Sequence, residues 1–270
     1  MPDFTYSLNG STIKTTPLMD QIRVAAEAGY TGIELWHDKI DEYLQSGGQL
    51  SDIRKALDDG GLTVPTTIYL CDWFDTSGQE HASALDECRR RLEQSAALGA
   101  IHVIASPPGG AANYELGAKN YHELLEIGAE FGVKPSMEFL GFVDQLNTIE
   151  DALEIVQKAD HPDGTMVIDP FHIYRGGGDV ESLSKLTASQ IGVAHFMDTI
   201  DTVPREQQHD QHRVMPGDGC FPLDRYVSLL RQIGYNRFLS LELFREDVWQ
   251  QDPLEVARLG LQKMRAATGG

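Results

Sequence analysis

Eight short apolar runs, each followed by a longer amphipathic stretch, fill this 270-residue chain from end to end. The runs are Phe4–Leu8, Thr31–Trp36, Leu62–Leu70, Ile101–Ala105, Val133–Phe139, Thr165–Asp169, Ile191–Phe196 and Phe238–Leu243. Their length and apolar content predict strands. The intervening stretches carry helix punctuation. Thr16-Pro17 opens a segment that stops at Gly29, Ser51 precedes one halted by Gly60-Gly61, and Ala82–Leu98 is followed by Gly99. Helices are also predicted over Asn120–Phe131, Thr148–Lys158, Val180–Leu186, Leu223–Ile233 and Pro253–Ala267. Strands joined through helices pair in parallel by right-handed crossovers. Eight such units in about 250 residues are the dimensions of a (β/α)8 TIM barrel. No Pro/Gly/Ser-rich linker divides the chain, so residues 1–270 are expected to form a single α/β domain. A doubly wound open sheet is the alternative. It lacks support because Leu8-Asn9-Gly10-Ser11-Thr12 after the first strand is not G-x-G-x-x-G.

Composition narrows the functional classes. Asp and Glu number 41 against 22 Lys and Arg, a formal net charge of −19. That sign repels nucleic acid and anionic membranes, though its plainest meaning is solubility. Cys71, Cys88 and Cys220 are odd in number and lack C-x-x-C spacing, so neither a disulfide framework nor a thiolate zinc site is expected. The opening MPDFTYSLNGSTIKTT has no basic start followed by an apolar run. No apolar stretch approaches the ~18–20 residues that span a bilayer. A cytoplasmic protein is expected.

The chemistry gathers at strand ends. Glu138, Asp169, His195 and Glu242 each close one of the last four predicted strands. In a barrel these ends converge on one mouth, where active sites sit. Three carboxylates there repel one another unless a cation neutralises them. Oxygen donors with one imidazole suit a divalent ion such as Mn, Mg, Co or Zn. Taken singly, carboxylates at strand ends are more often solvated or loop-pinning residues. Their matching positions in consecutive units favour a metal site.

Around them stand candidate substrate contacts. His172, three residues past Asp169, reads as a substrate contact, a proton shuttle or a loop-capping imidazole. Arg213 ends a long connection, Met197–Pro222. It either binds substrate oxygens and stabilises an enediolate, or pairs at the surface with Asp210 or Asp218. Trp36 offers an apolar wall for a sugar ring or plain packing. Glu34, in GIELW, faces either the barrel interior or the helices. Gly176-Gly177-Gly178 is no phosphate loop, since no Lys-Ser/Thr follows.

The segments MEFLG (137–141), IDPFH (168–172), AHFMDT (194–199), HRVMPGDG (212–219) and SLELF (240–244) resemble the xylose-isomerase-like TIM-barrel superfamily over nearly the whole chain. HRVMPGDG with SLELF looks most like its inosose isomerases. The resemblance implies that Glu138, Asp169, His195 and Glu242 ligate one divalent metal and that His172 and Arg213 contact substrate. It also implies that Glu138 and Glu242 form an acid/base pair. The implied reaction is isomerisation or epimerisation of an inosose or ketose through an enediolate. A dehydratase acting on an inosose or dehydroshikimate is the alternative on the same site. The implied partner is a small polyol or keto-sugar, and a homo-oligomer is left open. An abasic-site endonuclease would want more histidines and a basic face.

Overall fold

The structure, a computed structural model, describes residues 4–269. The first three residues of the segment read as lacking a targeting signal lie outside them. Seven barrel strands come first: β1 (Thr5–Asn9), β2 (Gly32–Trp36), β3 (Val64–Leu70), β4 (Ala100–Ala105), β5 (Lys134–Met137), β6 (Thr165–Ile168) and β7 (Ile191–His195). A two-stranded antiparallel ribbon follows, β8 (Asp198–Thr199) with β9 (Arg213–Val214). β10 (Phe238–Leu241) then pairs in parallel with β7 and β1 and closes the barrel. The predicted (β/α)8 fold is the one observed.

The helices are α1 (Leu18–Ala28), α2 (His37–Gln45), α3 (Leu50–Asp59), α4 (Gly78–Ala97), α5 (Tyr114–Phe131), α6 (Ile149–Ala159), α7 (Pro170–Gly176), α8 (Leu223–Gln232), α9 (Glu246–Trp249) and α10 (Pro253–Thr268). None of the described helices is long and apolar enough to cross a membrane. Besides the ribbon β8–β9 and the short α9, three features differ from the sequence expectation. α2 escapes the apolar pattern because only His37 and Ile40 of its nine residues are buried. α7 is a helix where Asp169-Pro170 reads as a turn: Asp169 is its N-cap and Pro170 its first residue. The predicted helix Val180–Leu186 is a 3-10 segment, Val180–Lys185.

Strand alternation decides which side chains enter the barrel. Met137, Ile168, Ala194 and Leu241 belong to the large core between strands and helices. Ile68, Ile104, Val167 and Val193 form a separate small cluster, the apolar floor inside the barrel. Two residues beyond Val167 comes Asp169, and two beyond Val193 comes His195. Successive strand residues alternate faces, so both project inward above that floor. The same rule settles Glu34. Its neighbours Ile33 and Leu35 pack in the outer core, and Glu34 points into the barrel, fully buried.

One inward residue has a measurable consequence. His102 on β4 is buried, and burial lowers its imidazole pKa to about 4. The unfolded chain binds a proton there below about 6.5, while the folded chain resists until about 4. Its contribution is therefore complete above pH 6.5 and is lost as pH falls toward 4, roughly 3 kcal/mol over that window. The unfolding free energy of wild type relative to His102→Asn should fall by about that much between pH 7 and 4 in urea titrations. A pH-independent difference contradicts this reading of His102.

Candidate active site

Asp169 does two jobs with two oxygens. Its Oδ1 accepts the backbone N–H of His172 at 2.9 Å, capping α7. Its Oδ2 is thereby turned into the barrel, 3.0 Å from His195 Nδ1. From β10, Glu242 brings Oε2 to 3.1 Å from the same nitrogen. Asn9, at the end of β1, donates Nδ2 to the other oxygen of Glu242 at 3.0 Å. Ligand atoms of Asp169, His195 and Glu242 thus lie within 4.8 Å of one another, all buried. Two hard anionic oxygens and one imidazole nitrogen aimed at one point fit a divalent cation, and a divalent metal is consistent with this donor set.

Glu138 lies outside that group of three but lines the same cavity. Its backbone N–H continues the sheet ladder to Ala105 O at 3.0 Å, and Ser106 Oγ donates to its Oε2 at 3.2 Å. Oε1 takes no protein donor among the described residues. Burial, with the negative charge of Glu242 added, pushes this carboxyl up to about 8. Asp169 goes the other way. Burial alone would raise it, but the Arg213 guanidinium and neighbouring imidazoles hold it well below the usual range. Two carboxyls driven apart in this manner mark an acid/base site.

Arg213 is buried to 1% exposure, so it is no surface arginine. Its Nη1 donates to Asp169 Oδ2 at 2.6 Å and stands 3.0 Å from Glu242 Oε2. Its Nε reaches Asp210 at 3.1 Å, one of the two partners considered for it. The other, Asp218, pairs with Lys263 instead. The guanidinium also lies over the rings of Phe171 (4.6 Å) and Phe244 (5.5 Å). Its long loop is held by Asp198, which accepts the N–H groups of Thr199, Gly217, Gly219 and Phe221 at 2.8–3.2 Å. A side chain at Gly219 would collide with Thr199 O and the Asp198 carboxylate.

His172 faces donors at both nitrogens: Gly141 N–H at 3.1 Å from Nδ1 and Arg213 Nη2 at 3.0 Å from Nε2. A neutral ring has one N–H, so it accepts from one of them at a time. Burial holds the imidazole down to about 4, which keeps it neutral near pH 7. It is an acceptor that orients Arg213, and this arrangement does not favour a proton shuttle. Trp36 has the packing role, and its part as a wall for a sugar ring is a proposal. It lines the cavity and packs edge-on against Phe244 at 5.8 Å, while Nε1 donates to Asn9 Oδ1 at 2.8 Å.

Trp36, Ser106, Glu138, His172, Asp210, Arg213, Glu242 and Phe244 line one cavity of about 410 Å³. It falls in the range of small-ligand sites. One side is apolar, with Trp36, Ile68, Ile104, Leu140, Phe142 and Phe244. The other is polar, with Glu138, Glu242, His172, Asp210 and Arg213. The sequence reading had no role for Asn9, Ser106 or Asp198, and none of the three carries a motif on its own.

Comparison with known proteins agrees with this geometry. A model of the xylose isomerase-like TIM barrel family matches residues 22–267. The chain is 28% identical over 249 residues to an inosose isomerase of Bacillus velezensis, covering 89% of this chain and 88% of that protein. A 3-dehydroshikimate dehydratase of Pseudomonas aeruginosa is 26% identical over 246 residues, 90% of this chain but 37% of that protein. Among solved structures, the IolI protein with a bound zinc atom matches with a TM-score of 0.91 and 27% identity, over 98% of both chains. With barrel, mouth and sequence in agreement over almost the whole length, the chain belongs to the xylose isomerase-like TIM barrel family.

Proposed function

We propose that this protein is a divalent-metal-dependent isomerase of an uncharged keto-polyol, an inosose or ketose, acting by proton transfer through an enediolate. The observation that carries the reading is the convergence of Asp169 Oδ2, Glu242 Oε2 and His195 Nδ1 on one point. Glu138 would complete the ligand set through Oε2, the oxygen steadied by Ser106, which leaves Oε1 free for proton transfer. The similarity to inosose isomerase and to the zinc-bound IolI structure supports both the reaction and the ion.

A bound divalent ion would supply Lewis-acid polarisation of the substrate carbonyl, which acidifies the neighbouring C–H. The rest falls to the chain's own residues. Trp36 and Phe244 receive the apolar face of the ring. Glu138, ionised once a cation is bound, takes the α-proton on Oε1, the oxygen that has no protein donor among the described residues. Arg213, oriented by His172 and Asp210, faces the developing enediolate oxygen. Glu138 or Glu242 then returns a proton to the adjacent carbon. Return to the opposite face of the same carbon is epimerisation. Loss of a β-hydroxyl from the same intermediate makes a dehydratase, and the similarity to 3-dehydroshikimate dehydratase supports that second reading.

Charge separates the two. Arg213 is the only lysine or arginine lining the cavity among the described residues, and its charge is already offset by Asp169, Asp210 and Glu242. No side-chain cation is left unpaired for a substrate carboxylate or phosphate. The metal-loaded enzyme should turn over neutral inososes or ketoses with kcat/KM at least about 100-fold above 3-dehydroshikimate or a ketose phosphate, a gap of ~3 kcal/mol. A panel assay reading product mass decides it. Preference for the anionic substrate, with a product lighter by one water, would overturn the isomerase reading.

A further inference from the structure

The metal reading uses one nitrogen of His195 and leaves the other unexplained. Nδ1 faces Asp169 and Glu242. Nε2 is buried, makes no hydrogen bond of ordinary geometry among the described residues, and lies 3.5 Å from Glu34 Oε1. An imidazole that ligates through Nδ1 carries its proton on Nε2. A buried N–H needs an acceptor, and the acceptor fixes both tautomer and ring orientation.

Glu34 is placed to be that acceptor. Its side chain is fully buried on β2, across the barrel mouth from β7, where no solvent reaches it. Thr66 Oγ1 donates to its Oε2, and Asn9 Nδ2 donates to its Oε1 at 3.2 Å. The same Asn9 amide donates to Glu242, and Trp36 Nε1 anchors Asn9 from behind. A carboxyl that receives donors on both oxygens is an acceptor at each of them. One buried amide therefore ties Glu34 to a residue of the three-ligand group, and the imidazole ties it to another.

We propose that Glu34 is a positioning residue. It accepts the Nε2–H of His195, keeps the Nδ1 lone pair turned toward Asp169 and Glu242, and so sets the affinity of the site for its cation. This inference rests on the metal reading above. It adds a fifth buried acidic or imidazole group to the centre, on a strand outside the four that carry the ligands.

The test uses the full-length protein with zinc or manganese, titrated against a competing chelator. Glu34→Gln keeps the shape and can turn its amide N–H2 toward Nε2, which favours the tautomer with the proton on Nδ1. It should weaken metal binding about 10- to 100-fold, the range found when an outer partner of a metal histidine is removed. In nitrogen-15 spectra of histidine-labelled metal-loaded protein, wild type should show His195 protonated at Nε2, and the variant should lose that signature. Glu34→Asp retains the buried charge but withdraws the acceptor, and should weaken binding about 10-fold even if the Gln variant fails to fold. A wild type that binds metal while both folded variants bind within twofold of it overturns the role of Glu34 alone. A wild type that binds no divalent ion overturns the metal reading together with this one.

Discussion

Replacing Arg213 with Met should lower the melting temperature of the metal-free protein by roughly 6–20 °C while leaving metal affinity intact or improved. The guanidinium is buried between Asp169, Glu242 and Asp210, at 2.6, 3.0 and 3.1 Å. In the metal-free state it joins the His195 imidazole, which Glu242, Glu34 and Asp169 hold well above its usual value, in making two facing carboxylates tolerable. Removing one partner of a buried ion pair typically costs ~3–5 kcal/mol, because the other charge stays buried and uncompensated. In a domain of this size each kcal/mol is worth about 2–4 °C. A divalent ion supplies the missing positive charge at the same oxygens. It should therefore raise the melting temperature of Arg213→Met by more than it raises wild type. Loss of a positive neighbour also favours the ion electrostatically, yet turnover should drop by about 10²–10³-fold, because a donor to the enediolate oxygen is gone. Differential scanning with and without manganese checks the first part. An equal thermal deficit in both conditions contradicts the account of Arg213.

Glu138→Gln and Glu242→Gln should each reduce exchange of the substrate α-proton by about 10²–10⁴-fold under saturating metal. The two should differ in binding. Glu242 belongs to the three-atom group, with Oε2 at 3.1 Å from His195 Nδ1, so its amide should also bind metal far more weakly. Glu138 stands outside that group, so its amide should retain more affinity while losing proton transfer. Glu138 is the better placed base. Its Oε1 has no protein donor among the described residues, whereas Glu242 Oε1 is taken by Asn9.

Most of this site was legible before any coordinates, for a physical reason. Residues at strand C-termini in a barrel share one mouth, so Glu138, Asp169, His195 and Glu242 could be grouped from position alone. What the sequence could not show is what each atom does. Asp169 looked like a turn residue beside a proline, but it is a helix cap whose second oxygen is free for the site. Arg213 had two readings, and its burial at the start of β9 rules out a surface arginine, although it does pair with Asp210. Glu34 was undecided because inward and outward positions on a buried strand are both surrounded by apolar neighbours in sequence. Asn9 and Asp198 had no signal, since a lone amide or carboxylate gains its role only from distant partners: Glu34 and Glu242 for one, the loop 217–221 for the other. Helix α2 escapes the pattern because it buries only His37 and Ile40, and α7 because Asp169-Pro170 at its start reads as a turn.

Deuterium uptake from solvent into a neutral inosose, followed by proton NMR, tests the central claim most directly. Wild-type protein loaded with manganese or zinc should exchange the α-proton, and the same protein stripped by chelator should not. Glu138→Gln loaded with metal should also fail to exchange. Full exchange by the stripped protein would contradict the metal centre, and full exchange by the loaded Glu138→Gln and Glu242→Gln variants would contradict the proton transfer assigned to them.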